Sequence, residues 1–136
     1  MKKGYKQLLD EANAEVTAIA PAAAMPLLAD KEAVTFIDLR DPRELEREGR
    51  IPGAVHCPRG MLEFWIDPES PYHRPVFAEK KKLLFFCAGG WRSALAAKTA
   101  QDMGLADVAH LEGGFTAWRE AGGPVEGVPP KAAPKA

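Results

Sequence analysis

One cysteine lies in a sequence context that favours a reactive anion. An apolar run, 83–86, leads directly into Cys87, and a glycine-rich turn separates Cys87 from a predicted helix. The residues that follow the cysteine are Ala88, Gly89, Gly90, Trp91, Arg92 and Ser93. Thiols beside a cation or at a helix N-terminus have pKa values of roughly 3.5 to 7.5, whereas a free cysteine has about 8.5. Arg92 supplies the cation and the helix supplies unpaired N–H groups, so the pattern predicts a nucleophilic thiolate.

The two glycines of this turn favour a functional site over a structural cysteine. Buried cysteines at the ends of core strands are common, and that alternative stays open for Cys87. A turn whose amides all point inward needs backbone angles that glycine adopts at little cost, and Gly89 and Gly90 supply them. The following helix is predicted over 93–103, with Ser93 as its N-cap.

The elements that must position this turn form a regular alternation along the chain. Short apolar runs alternate with amphipathic stretches, which predicts an α/β fold: a central parallel sheet of about five strands with helices on both faces. The strands are expected at 16–19, 34–39, 54–56, 83–87 and 108–111. Ligands of such sheets bind at the carboxyl ends of the strands, where Asp38, Arg40 and Cys87 all fall.

The helix after the second predicted strand has clear signals at both ends. Asp41 is the expected N-cap, Pro42 takes the first helical position, and Glu44 completes a capping box. Gly49 ends the helix. We interpret this helix, and Glu44 within it, as structural.

Two charged residues at the end of the second strand are candidates for support of the cysteine loop. Asp38 is expected to orient the loop amides or to pair with an arginine such as Arg92. Arg40 either supports the site or forms a surface salt bridge to Asp41 or Glu44, and the sequence leaves both open.

Other residues with chemical potential are interpreted as structural. His56 and His110 end predicted strands, and we expect packing or surface roles for both rather than a role as catalytic bases. Cys57 is expected to pack as a small apolar residue, with a disulfide to Cys87 as the alternative. The long connection 61–75 is expected to pack its aromatic side chains in a satellite core. The alternative is a wall of the site whose basic residues meet an anionic substrate.

Length and composition restrict the classes of function. The 136 residues are sufficient for one domain, and the formal net charge of −1 gives no electrostatic basis for binding nucleic acid or an acidic membrane surface. The two cysteines form no metal or redox motif, so no metal and no cofactor are expected. No apolar run is long enough to span a membrane, so a cytoplasmic location is the default expectation. We expect a helical N-terminal extension over 1–14, the domain over 15–126 and a disordered tail over 127–136.

Three separated segments resemble the rhodanese homology domain. The first segment comprises residues 36–40, followed by Glu44, Gly49 and residues 51–54. The second is 87–93, and the third is 111–115 together with Trp118. The resemblance implies a sulfurtransferase similar to single-domain thiosulfate sulfurtransferases. Cys87 would take sulfane sulfur from a donor such as thiosulfate, hold it as a persulfide, and pass it to cyanide or to a thiol, including a protein thiol. It also implies that residues 88–93 bind the substrate and that Asp38 supports the loop.

Departures from the family pattern bear on specificity. Four residues separate Cys87 from Arg92, whereas related phosphatases have five, so a phosphatase or arsenate reductase is the less favoured alternative. Arg92 is the only cation of the loop, which predicts that thiosulfate is a poor donor. Trp91 is expected either to cover the persulfide and contact an apolar acceptor, or to pack under the loop. A non-catalytic interaction module and a Cys57–Cys87 redox sensor are the remaining alternatives.

Overall fold

The computed structural model describes residues 1–129 and has a parallel β-sheet at its centre. The strands are β1 (Thr17–Ile19), β2 (Val34–Asp38), β3 (Val55–His56), β4 (Lys82–Phe86) and β5 (Val108–Leu111). They lie in the order β1-β5-β4-β2-β3, and every neighbouring pair is parallel. The predicted α/β fold with five strands is therefore confirmed.

Helices cover both faces of this sheet. They are α1 (Tyr5–Glu15), α2 (Pro21–Leu28), α3 (Pro42–Glu48), α4 (Leu62–Ile66), α5 (Trp91–Asp102) and α6 (Gly114–Glu120). Two short 3₁₀ turns, Arg59–Met61 and Pro75–Ala78, flank α4. Among the residues described, no helix is long and apolar enough to cross a membrane.

Successive residues of the central strands point to opposite faces, and each face has its own apolar core. On one face Ile37 and Phe85 pack with buried residues of α4 and α5. On the other face Phe36 and Phe86 pack with Trp118 of α6 and with a residue of α2. Because both faces are covered, β2 and β4 are apolar along most of their length, as the sequence indicates.

The helix predicted after β2 is present with the predicted ends. Asp41 is the N-cap of α3 and its side chain accepts a hydrogen bond from the backbone N–H of Arg43 at 2.9 Å. Glu44 accepts from the backbone N–H of Asp41 at 2.8 Å, which completes the predicted capping box. Gly49 ends the helix with φ of 87°, a left-handed value that glycine adopts without strain.

An ion pair between Asp38 and Arg40 is buried at the end of β2. Both side chains are 1% exposed, and Arg40 donates through Nε and Nη2 to the two carboxylate oxygens at 3.0 and 2.8 Å. Arg40 Nη2 also donates to the carbonyl of Gly49 at 2.9 Å, and its guanidinium lies 4.1 Å from the ring centre of Phe115. Asp38 therefore pairs with an arginine, which is one of its two predicted roles, but the partner is Arg40 and not Arg92. Of the two alternatives for Arg40, the surface salt bridge to Asp41 or Glu44 does not form.

The connection 61–75 contributes to the core through different residues than expected. Leu62 and Ile66 are buried in the core on the α5 face, and Trp65 packs against it with Arg74 stacked 4.4 Å from its ring centre. Phe64 and Tyr72 are exposed. The aliphatic residues fill the core because they share one face of α4, at i and i+4 spacing.

The two ends of the chain differ in what the structure describes. The helix expected in 1–14 is present as α1, and it packs along α5 with Ala12 fully buried. The disordered tail expected over 127–136 lies outside the described residues from position 130 onward.

The buried ion pair leads to a prediction about stability. Asp38→Ala leaves the Arg40 guanidinium buried without its counter-charge and is expected to lower the free energy of unfolding by about 3 to 5 kcal/mol. Asp107→Ala, which removes an exposed 2.7 Å bridge to Lys82, is the control and should cost less than about 1 kcal/mol. Urea denaturation measures both values, and equal losses in the two variants would contradict the prediction.

Candidate active site

The cysteine loop connects the end of β4 to the start of α5. Cys87 is 1% exposed, and its Sγ accepts a hydrogen bond from the backbone N–H of Gly90 at 3.1 Å. Gly90 is the N-cap of α5 with φ of 110°, a left-handed conformation that turns its amide toward the sulfur. The helix therefore begins at Trp91, two residues earlier than predicted, and Ser93 is its third residue rather than its N-cap.

The start of α6 fixes the backbone on the other side of this loop. Phe115 N–H donates to the carbonyl of Cys87 at 2.8 Å, and Thr116 N–H donates to the carbonyl of Ala88 at 3.1 Å. Gly114 allows this contact, because a Cβ at that position would lie 2.5 Å from the Cys87 carbonyl oxygen. These hydrogen bonds hold the carbonyl groups of Cys87 and Ala88 toward α6. The N–H of Gly90, which follows them in the chain, is free to point at the sulfur.

Arg92 is held at the site by a carboxylate that the sequence analysis treated as structural. Glu44 accepts from both terminal nitrogens of Arg92 at 2.8 Å, in addition to its capping bond to the backbone of Asp41. The hydrogen bond from Arg92 is the main cause that lowers the pKa of Glu44 to about 2. The pKa of Arg92 is raised, chiefly by the hydrogen bond to Glu44 and to a smaller extent by Cys87, and Arg92 lines the same cleft as Cys87.

Two aromatic rings stand at the mouth of the site. Cys87, Gly89, Trp91 and Arg92 line an open cleft. Trp91 is 63% exposed and its ring centre lies 5.2 Å from that of Tyr5 in α1. The expectation that Trp91 packs under the loop is therefore wrong. Tyr5 is a site neighbour that sequence reasoning missed, because no local pattern connects α1 to the loop.

Beneath the loop, Ser93 connects the sulfur to a buried histidine. Ser93 Oγ lies 3.7 Å from Cys87 Sγ, 3.0 Å from His110 Nδ1 and 3.2 Å from the carbonyl oxygen of Gly90. Burial lowers the pKa of His110, a shift that Glu112 partly opposes, so the imidazole is neutral at neutral pH. His110 Nε2 is buried without a hydrogen-bond partner among the described residues. His110 is buried as expected, but it also contacts a residue of the site.

The remaining predicted residues lie away from the cleft. Asp38 and Arg40 bind each other behind the loop, and His56 Nε2 lies 2.6 Å from the carbonyl oxygen of Arg40. Within residues 1–129, the structure contains no cluster of three or more His, Cys, Asp or Glu residues that could hold a metal ion.

Cys57 and Cys87 do not have the geometry of a disulfide pair. They follow β3 and β4, which lie on opposite sides of β2, so two strand spacings, about 9 to 10 Å, separate their backbones. A disulfide needs Cα atoms within about 7 Å of each other. Both thiols are free, and burial raises the pKa of Cys57 to about 12, so Cys57 stays protonated at neutral pH.

The Glu44–Arg92 pair predicts a pH dependence of stability. Glu44 has a lower pKa in the folded protein than its usual value of 4.5, so its contribution is complete above pH 4.5 and is lost as pH falls toward about 2. Glu44→Gln should lower the free energy of unfolding at neutral pH by about 1 to 2 kcal/mol, less than the full pKa shift implies, because Arg92 is partly exposed to water. Urea denaturation at several pH values should show this difference disappearing near pH 2.

The control is Glu46→Gln, which removes an exposed carboxylate from the same helix. A difference between the wild type and Glu44→Gln that stays constant down to pH 2 would contradict the prediction.

Known proteins with the same architecture are found by sequence and by structure. A family model for the rhodanese-like domain matches residues 21–121. The chain is 32% identical to a thiosulfate sulfurtransferase GlpE of Pseudoalteromonas translucida, over 69% of this chain and 81% of that one. It is 33% identical to the human thiosulfate:glutathione sulfurtransferase, over 74% and 95%.

A solved structure from Rhodopseudomonas palustris is 60% identical, with a TM-score of 0.89, over 93% of this chain and 96% of that one. That structure is described as a protein of unknown function and a possible tyrosine phosphatase. The family model covers most of the chain, and the sheet, the cysteine loop and the two named sulfurtransferases agree with it. This chain belongs to the rhodanese-like domain family.

Proposed function

We propose that the protein is a sulfurtransferase that carries sulfur as a persulfide on Cys87. The observation that carries this proposal is the position of the sulfur: Gly90 N–H donates to it at 3.1 Å, at the N-terminus of a twelve-residue helix and in a cleft that Arg92 also lines. A helix N-terminus and a cation both stabilise an anion. The same groups serve the thiolate, the persulfide and an anionic leaving group.

The reaction has two displacement steps that return the enzyme to its starting state. In the first step the Cys87 thiolate attacks the sulfane sulfur of the donor. A new S–S bond forms, the S–S bond of the donor breaks, and sulfite leaves with the electron pair if the donor is thiosulfate. In the second step cyanide or an acceptor thiolate attacks the outer sulfur. Cys87 then leaves as the thiolate, and thiocyanate or an acceptor persulfide is the product.

The charge of the site supports a preference among donors. Arg92 is the only cation among residues 87–93, and Glu44 neutralises much of its charge through two 2.8 Å hydrogen bonds. A dianion such as thiosulfate gains less from this site than it would from a loop with several free cations. We therefore propose that a donor whose reacting end has at most one negative charge, such as the persulfide group of glutathione persulfide, is used more efficiently than thiosulfate, whose two charges both lie at the reacting group.

A phosphatase is the second candidate, because the solved relative that is 60% identical is described as a possible tyrosine phosphatase. Two features count against it here. The loop has four residues between Cys87 and Arg92, and both terminal nitrogens of Arg92 are bound to Glu44. Glu44 takes two of the five N–H donors of Arg92 and places a negative charge beside the position of a phosphoryl dianion, which disfavours its binding.

Mass spectrometry tests the persulfide directly. After incubation with a sulfane donor, Cys87 should gain one sulfur atom, and Cys87→Ser should show neither that gain nor turnover. Cys57→Ala is the matched control and should load sulfur normally, because the Cys57 thiol is fully buried and stays protonated at neutral pH. If Cys87 takes up no sulfur from any sulfane donor, the chain is better explained as a non-catalytic interaction module.

A substrate panel tests specificity and the phosphatase alternative together. Turnover measured as kcat/KM should be higher with glutathione persulfide than with thiosulfate, each with cyanide and with a thiol acceptor, because Glu44 reduces the charge available to a dianion. An aryl phosphate should give no turnover above that of Cys87→Ser. Hydrolysis of the phosphate at a rate comparable to sulfur transfer would favour the phosphatase.

A further inference from the structure

We propose that His110 is a positioning residue that makes Ser93 a hydrogen-bond donor to the Cys87 thiolate. The three residues come from β5, α5 and the end of β4, and they form a short chain of contacts beneath the loop. This inference rests on the proposed function, because it assigns a role around the reactive sulfur.

The contacts of Ser93 are the first step. Its side chain is fully buried, and its Oγ has three polar neighbours: the sulfur of Cys87 at 3.7 Å, Nδ1 of His110 at 3.0 Å and the carbonyl oxygen of Gly90 at 3.2 Å. A hydroxyl group has one hydrogen to donate and two lone pairs to accept with. The position of the hydrogen on His110 therefore decides which neighbours the hydroxyl serves.

The environment of His110 fixes that hydrogen on Nδ1. A neutral imidazole has one N–H, and Nε2 is buried without a partner among residues 1–129. A hydrogen on Nε2 would leave a buried donor unpaired, which is rare and costs more than an unpaired acceptor. With the hydrogen on Nδ1, His110 donates to Ser93 Oγ, and the serine hydrogen is free for another acceptor.

The charge on Cys87 then determines where the serine hydrogen points. While the sulfur is protonated, it can donate to Ser93 Oγ, and Ser93 donates to the carbonyl of Gly90. When the sulfur is ionised it becomes an anionic acceptor, and hydrogen bonds to ions are about twice as strong as neutral ones. Ser93 then donates to the sulfur, as a second donor beside the Gly90 amide.

His110 does not act as a general base in this arrangement. Burial disfavours the imidazolium, and the only shift in the other direction comes from Glu112. The other charged groups near the sulfur are Arg92 and, through it, Glu44. His110 therefore acts only by holding the hydroxyl of Ser93.

A double-mutant cycle on Cys87 alkylation tests this role. Ser93→Ala is expected to slow the reaction of iodoacetamide with Cys87 at neutral pH about tenfold, the effect of one hydrogen bond to a charged group. His110→Leu leaves the Ser93 hydroxyl in place without the donor that holds it, and is expected to slow the reaction by a smaller factor. The double variant should be no slower than Ser93→Ala. His110→Asn should restore most of the rate, because its side-chain amide offers an N–H near the position of Nδ1. Mass spectrometry assigns the modified residue in each case.

Two outcomes would overturn the inference. One is a further loss from His110→Leu in the Ser93→Ala background, and the other is a rate for His110→Asn as low as that for His110→Leu at equal free energy of unfolding. If His110→Leu fails to fold, ¹⁵N NMR of the wild-type imidazole decides: a protonated Nδ1 supports the role and a protonated Nε2 overturns it.

Alkylation needs no sulfur donor, so this test is separate from that of the proposed function. If the wild type takes up no sulfur but the variants show the expected alkylation rates, only the proposed sulfurtransferase function is disproved. If the wild type takes up sulfur but the variants do not show the expected alkylation rates, only the role of His110 is disproved.

Discussion

The guanidinium of Arg40 is the charge around which the site is assembled. It is fully buried against Asp38, donates to the carbonyl of Gly49 at the end of α3, and stacks on Phe115 at the start of α6. A buried ion pair is costly to desolvate and is retained only with good geometry and satisfied hydrogen bonds. Here it links β2, α3 and α6, and the two helices in turn contact Arg92 and the backbone of the cysteine loop.

Each of those helices controls one component of the site. α6 binds the carbonyls of Cys87 and Ala88, which directs the loop backbone. α3 contributes Glu44, which holds the guanidinium of Arg92 through both terminal nitrogens. The anion-stabilising groups are therefore set before any substrate arrives. Pre-organised donors of this kind do not need to reorient during the reaction, which is the main advantage of an electrostatic site.

Sequence reasoning worked where the signal was local. The alternation of apolar runs predicted the strand number and the placement of the strands to within one residue, and the spacing of Asp41, Glu44 and Gly49 predicted α3. The glycine-rich turn after Cys87 was correctly placed at the end of β4. These features depend on backbone conformations and on periodicity within a few residues.

Most of the errors concern contacts with segments distant in sequence, and one concerns the start of α5. Glu44 and Arg92 are 48 positions apart, and the capping role of Glu44 already explained its identity. Asp38 and Arg40 are only two positions apart, but Arg40 is buried against Phe115 of α6, and no local pattern reveals that contact. Ser93 was assigned as an N-cap because serine favours that position, but the left-handed conformation of Gly90 starts α5 earlier. Tertiary packing decided the first two cases, and the backbone conformation of Gly90 decided the third.

The pairing of β1 with β5 has a practical consequence for work on the isolated domain. The family match spans 21–121, whereas β1 and α1 precede residue 21 and pair with β5 and α5. A fragment trimmed to the match would expose the backbone edge of β5 and the apolar flank of α5, a known hazard for aggregation. It would also remove Tyr5, whose ring contacts that of Trp91. Expression designs should therefore keep the first twenty residues, even though the family model does not include them.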